Sequence, residues 1–303
     1  FVENVVKGGF LRTQCERGGS ILKTLTEEQR IKWVTDGYIQ IEGALNPEEV
    51  EFFCDKLDEV RSLPGFEPRP DEFQRGHYKW LEHADDLNPE GFMDRRDLLT
   101  YDEAFINLID QAGVFDLIVD IMGPWILFSM SQAIVRAATS TFPGYTHTDG
   151  GEALRRIRVS ETSRPLAMKS MYLLSDVDGP DSGNFTVFPG SHLRPFPEDN
   201  SQLNPHAPGA VQLTGKAGDA YVFSHALWHG PAPNHSNKAR KTLLYNYCQM
   251  FVRWYDFEAI SKVADKCTPR QRRLLGDLGH DWRPGSFFYA PLDQEEVIYG
   301  QAT

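Results

Sequence analysis

Apolar and polar positions divide the chain into two textures, helical before Pro124 and strand-like after it. Thr26-Glu-Glu-Gln offers an N-cap followed by acids in a first turn, with Ile31 and Val34 as an apolar stripe and Gly37 as its stop. Asn46-Pro47-Glu48-Glu49 predicts a second start, because proline fits the first helical position and acids favour the positive dipole end. Val50, Phe53, Leu57 and Val60 continue at helical spacing until Pro64-Gly65. Thr100-Tyr-Asp-Glu103 matches a capping box and predicts a helical stretch through Phe105, Leu108 and Ile109. After a break near Gly113 the pattern resumes at Phe115, Ile118 and Ile121 and closes at Gly123-Pro124. The polar stretch from Glu67 to Arg96 reads as a long loop.

Beyond Pro124, short apolar or alternating runs fall at 126–137, 167–174, 184–188, 219–223 and 242–252. Turn clusters such as Asp178-Gly-Pro-Asp-Ser-Gly183 separate them, which predicts an antiparallel sandwich or barrel. Helices that precede strands, without alternating with them, indicate a mainly-β α+β protein and not a doubly wound sheet. Past Tyr255 the texture turns helical again (Phe257, Ile260, Val263).

Composition narrows the partners. The 303 residues are 41% hydrophobic and 24% charged, which suits one large globular domain or two small ones. A net charge of −12 disfavours nucleic acid and anionic membrane surfaces, which attract a positive field. Cys15, Cys54, Cys248 and Cys267 form no Cys-x-x-Cys pair and read as reduced, structural thiols of a cytoplasmic protein. The apolar run Ile121–Val135 is interrupted by Gly123, Pro124 and Gln132 and falls short of the ~20 residues of a membrane span. Phe1-Val-Glu-Asn lacks the basic start of a signal peptide.

Chemistry concentrates in the strand-rich half. His147-Thr148-Asp149 follows the turn Pro143-Gly144, and in extended chain residues two apart project to one side. His229-Gly230 ends the run from Ala220, and Arg240 lies eleven residues further on. Two histidines and one carboxylate form the facial triad of non-haem Fe(II) oxygenases, which leaves coordination positions open. Arginine offers a planar fork that holds a carboxylate. His225 lies on the same strand face as His229 and competes with it as the distal ligand. The spacing to Arg240 favours His229, leaving His225 as a packed or ligand-supporting residue.

Between these ligands lies Gly183 through Asn184-Phe-Thr-Val-Phe-Pro-Gly-Ser-His192. The whole arrangement resembles the phytanoyl-CoA dioxygenase family of iron- and 2-oxoglutarate-dependent oxygenases, from about Thr35-Asp-Gly-Tyr38 to about Met250. The resemblance implies a double-stranded β-helix (jelly-roll, cupin-like) core in a single domain spanning 1–303. Helices and loops over 1–125 would buttress a core at 126–252, with a C-terminal helical extension at 253–303. It implies that His147, Asp149 and His229 bind Fe(II) and that Arg240 holds the distal carboxylate of 2-oxoglutarate. Gln132 or Arg136 would add a polar contact, with Gln132 favoured. Many members carry Ser two residues after the last histidine ligand, where this chain has Pro231, so Thr186 or Tyr172 becomes the candidate hydroxyl.

The implied reaction uses O2 and 2-oxoglutarate to hydroxylate an unactivated C–H bond of a small molecule, releasing succinate and CO2. Desaturation, epoxidation and oxidative rearrangement share such a site. Asp149 disfavours halogenation, because related halogenases carry Gly or Ala there. A zinc hydrolase could use the same triad but has no need of Arg240, and a non-catalytic jelly-roll binding protein usually loses a ligand.

The remaining histidines read as structural or exposed: His192 as a brace for its turn, and His77, His83, His206, His235 and His280 as surface residues. Arg155, Arg156, Arg158, Arg164 and Lys169 form a basic insert after His-x-Asp, suited either to an anionic substrate or to pairing with acidic neighbours.

Overall fold

The computed structural model describes residues 24–62, 93–96, 98–138, 145–150, 157, 160–253, 259–277 and 293–294. Helix α1 (Glu27–Asp36) starts on the reciprocal capping box of Thr26 and Gln29 and stops at Gly37, whose φ of 82° suits glycine. Its stripe faces outward: Ile31 is 57% exposed and Val34 38%, while Trp33 packs against the core. Helix α2 (Pro47–Ser62) begins as the sequence predicts, with the Asn46 side chain accepting from Glu49 N and Glu49 accepting from Asn46 N, each at 2.8 Å. Phe53, Leu57 and Val60 are buried. Pro64-Gly65 lies outside the described residues.

The Thr100 capping box does not form. The stretch breaks into a 3-10 turn at Leu98–Thr100, a short helix α3 (Ala104–Asn107) without a side-chain cap, and a further 3-10 turn at Leu108–Asp110. Asp102 instead accepts from Ala104 N at 2.9 Å in the turn that leads into that helix. Helix α4 (Phe115–Met122) buries six of its eight residues and ends at Gly123. The Glu67–Arg96 loop is corrected at its end, where Met93–Arg96 is strand β2. Residues 63–92 lie outside the described residues.

Strand β1 (Tyr38–Ile41) follows α1 directly. After it come β3 (Ile126–Arg136), β4 (Ala167–Leu173), β5 (Phe185–Val187), β6 (Val211–Gln212), β7 (Ala220–Ser224), β8 (His229–Pro231) and β9 (Arg240–Gln249). Helices α5 (Ala259–Val263) and α6 (Pro269–Leu274) carry the helical texture past β9, and Phe257 lies outside the described residues.

Among the described residues every strand pair is antiparallel. One sheet runs β1-β7-β4-β9-β3-β2 and a smaller one runs β6-β5-β8, the two-sheet arrangement of a jelly roll. Alternation sorts the large sheet into two faces. Ile39, Met168, Tyr172, Val222, Leu243 and Tyr245 join the helices in the main core. Tyr38, Met171, Leu173, Phe223 and Leu244 face inward and meet Phe185 and Val187 of the small sheet. That inner space holds the polar residues described next.

Candidate metal centre

His147 and His229 sit opposite each other on neighbouring strand segments. Each backbone N–H donates to the other's carbonyl, at 2.8 and 2.9 Å, and the ring centroids are 4.4 Å apart. His147 Nδ1 lies 3.2 Å from Tyr145 O and His229 Nδ1 lies 2.8 Å from Leu227 O. A carbonyl only accepts, so each ring donates from Nδ1 and turns Nε2 to the shared space. Asp149 is anchored through its N–H on His225 O at 2.9 Å, and its Oδ1 lies 3.8 Å from His229 Nε2. One ligand atom from each of His147, Asp149 and His229 lies within 4.8 Å of the others. The three residue types fit an iron site with open positions.

Electrostatics agree with this geometry. Burial, reinforced by His147, lowers the His229 pKa to about 3, so its ring is neutral and able to ligate. Burial resists ionisation of Asp149, but the Lys169 ammonium holds its carboxyl well below the usual carboxylate range. Lys169 Nζ donates to Asp149 Oδ1 at 2.5 Å. Lys169 belongs to strand β4 and is only 8% exposed, so it is not part of a solvated basic insert. Arg155, Arg156 and Arg158 lie outside the described residues, and the Arg164 guanidinium packs against Gly123.

Cross-strand partners share a face. Arg136 opposes Arg240, Ile134 opposes Thr242 and Gln132 opposes Leu244, so Gln132, Arg136, Arg240 and Thr242 all point between the sheets. Arg240 Nη1 donates to Thr242 Oγ1 at 2.7 Å, and Thr242 in turn donates to Ile134 O at 3.2 Å. Arg240 Nε is buried with no partner. Burial, with Arg136 nearby, lowers the Arg240 pKa to about 9, and burial lowers that of Arg136 to about 10. Two guanidiniums in a dry space suit an anion. Gln132 Nε2 donates to Asp94 Oδ1 at 2.8 Å, which ties it to β2.

The hydroxyl beside Arg240 is that of Thr242, not Thr186 or Tyr172. Phe185 and Val187 point between the sheets, so alternation turns Thr186 to the other face of β5. Tyr172 opposes Leu243 and packs on Tyr245 in the helix-facing core. Sequence spacing held the signal for Thr242, two residues past Arg240 on one strand. His225 is buried, its Nδ1 2.9 Å from Ala167 O, and it stands outside the triad of converging ligand atoms. His192 is buried against Gly37, as a brace would be.

The family model for phytanoyl-CoA dioxygenase (PhyH) matches residues 33–242, well over half of the chain. The chain belongs to the phytanoyl-CoA dioxygenase family. It is therefore an oxygenase-type enzyme of the iron- and 2-oxoglutarate-dependent class, with dioxygen as co-reactant. An uncharacterized protein of Mycobacterium tuberculosis is 23% identical over 209 residues, covering 67% of this chain and 74% of that protein.

Solved structures share the fold of this family member. HygX from Streptomyces hygroscopicus, with nickel and 2-oxoglutarate bound, has a TM-score of 0.59 at 20% identity, covering 76% of this chain and 90% of HygX. The α-ketoglutarate-dependent carbocyclase SnoK from nogalamycin biosynthesis has a TM-score of 0.54 at 19% identity, covering 74% and 84%. The epimerase SnoN from the same biosynthesis has a TM-score of 0.55 at 17% identity, covering 86% and 91%. Among the described residues no helix is long and apolar enough to cross a membrane.

Proposed function

We propose that the chain works as one catalytic domain in which His147, Asp149 and His229 bind Fe(II) and Arg240 holds the distal carboxylate of 2-oxoglutarate. The reaction is hydroxylation of a C–H bond in a small-molecule substrate, with release of succinate and CO2. The observation that carries this reading is that one ligand atom from each of His147, Asp149 and His229 lies within 4.8 Å of the others.

Iron and 2-oxoglutarate supply the oxidising chemistry when bound, and the chain supplies position and dryness. The Nδ1–H groups of His147 and His229 are fixed on backbone carbonyls, so both rings are oriented before any ligand arrives. The rings of Phe185 and Phe223 lie 5.4 and 5.1 Å from the His229 ring and exclude water from one side. Arg240 is pinned by Thr242 and keeps Nε free for an incoming carboxylate. Gln132, tied to Asp94, lines the same face and orients polar groups deeper in the space.

Anaerobic addition of Fe(II) and 2-oxoglutarate tests the reading. A visible metal-to-ligand charge-transfer band is expected in the wild type and its loss in His147→Ala. No band in the wild type, or a band that persists in His147→Ala, sinks the assignment. Mass spectrometry of products from a substrate screen then decides the outcome, with one oxygen atom gained per succinate expected for hydroxylation.

A further inference from the structure

We propose that Lys169 is a positioning residue for the metal centre, fixing the carboxylate of Asp149 by a partly buried charge-assisted hydrogen bond. The inference rests on the iron-site reading above and adds to it a residue outside the His/Asp/His set.

Three observations converge on Lys169. It sits in β4, the strand between β7 and β9, so backbone ladders on both sides hold its Cα. Its register opposite Phe223 and Asn246 aims the side chain into the space between the sheets. Its ammonium then reaches Asp149 Oδ1 at 2.5 Å, while Asp149 Oδ2 is buried without a partner. Asp149 itself lies in a turn, where its backbone N–H is anchored on His225 O. The carboxylate plane can rotate about Cβ–Cγ unless something grips an oxygen. Lys169 is the side chain that grips it.

A charge-assisted bond of this kind is short and strong in a low-dielectric site. Groups that hold a metal ligand in place typically contribute ten- to hundredfold in metal affinity. Lys169 thus does for the acidic ligand what Tyr145 O and Leu227 O do for the two imidazoles. All three ligands are then set by contacts from different parts of the chain.

The test is metal affinity, read without turnover. Fe(II) is titrated anaerobically into the full chain at saturating 2-oxoglutarate, following the charge-transfer band, and Co(II) is titrated alone by its visible absorption. Lys169→Met is expected to raise the metal Kd about ten- to hundredfold, and Lys169→Arg, which restores a cationic donor, to keep it within about threefold of wild type. An unchanged Kd in Lys169→Met overturns the proposal, and so does a Lys169→Arg variant as weak as Lys169→Met. Should Lys169→Met not fold, Lys169→Gln carries the same test, with a weaker Kd expected and a wild-type Kd overturning it. Absence of metal binding in the wild type would instead defeat the iron-site reading itself.

Discussion

His147 and His229, 82 positions apart, exchange both backbone hydrogen bonds as an isolated antiparallel pair. In such a pair the side chains leave the backbone on the same side. The two imidazoles therefore converge through backbone pairing, before any metal draws them together.

The residue after His229 shows how tight this pairing is. A Cβ on Gly230 would lie 2.6 Å from Tyr145 O and 3.1 Å from Thr146 Cα. Gly230→Ala must push the His147 segment away. Overpacking of this kind costs about 1–3 kcal/mol, so metal Kd should rise about tenfold and the melting temperature should fall. Anaerobic metal titration beside thermal unfolding checks it, and a wild-type Kd in Gly230→Ala would show that the close approach does not set the ligands.

His225 and His229 lie four residues apart on the same run, yet only His229 joins the converging ligand atoms. His229→Gln should abolish the charge-transfer band. His225→Gln should keep it, because the His225 ring is engaged with Ala167 O. A reversed pattern would exchange their roles.

Arg240 and Thr242 predict a graded effect on the cosubstrate. Removing one partner of a buried charge pair costs about 2–5 kcal/mol, so Arg240→Met should raise the Kd for 2-oxoglutarate by at least about thirtyfold. Thr242→Val leaves Arg240 Nη1 without its acceptor, a loss of about 1–3 kcal/mol. Its Kd should rise by about five- to hundredfold with metal affinity unchanged. Titrating the charge-transfer band with 2-oxoglutarate at saturating Fe(II) measures both. Equal Kd values in wild type and Arg240→Met would remove Arg240 from the cosubstrate site.

His192 predicts a dependence of stability on pH. Burial lowers its pKa below the ordinary 6.5, against a smaller opposing pull from the Val34 backbone and Asp36. Below about 6.5 the unfolded chain takes up a proton there that the folded chain refuses, so stability is complete above that pH and is lost as pH falls. The loss approaches about 1.4 kcal/mol per pH unit for this one group. Urea unfolding between about pH 7 and about pH 5 should show a shallower decline in His192→Gln than in the wild type. Parallel declines would mean that His192 titrates freely.

Legibility in the sequence followed burial. Strands β3, β4, β7 and β9 are apolar enough on both faces to stand out as runs, because helices cover one side and the small sheet the other. Strand β2 was hidden because Met93-Asp-Arg-Arg96 is polar, its Asp94 and Arg96 answered by Gln132 and Met130 of β3. Strand β8 is three residues long and ends in Pro231, tolerated because it lies at the edge of its sheet. The stripe of Ile31 and Val34 misled because helical spacing alone does not say which face meets a core.

The sequence by itself determined the ligand types, their spacing to Arg240 and the strand-rich half that carries them, since these are properties of neighbours along the chain. Tertiary structure alone decided that Lys169 grips Asp149 and that neither Thr186 nor Tyr172 meets Arg240, while it set His229 among the converging ligand atoms as its spacing to Arg240 had favoured. Hydrogen bonds and ion pairs form only within a few ångströms and along fixed directions. Strand register, and not separation along the chain, sets those distances and directions.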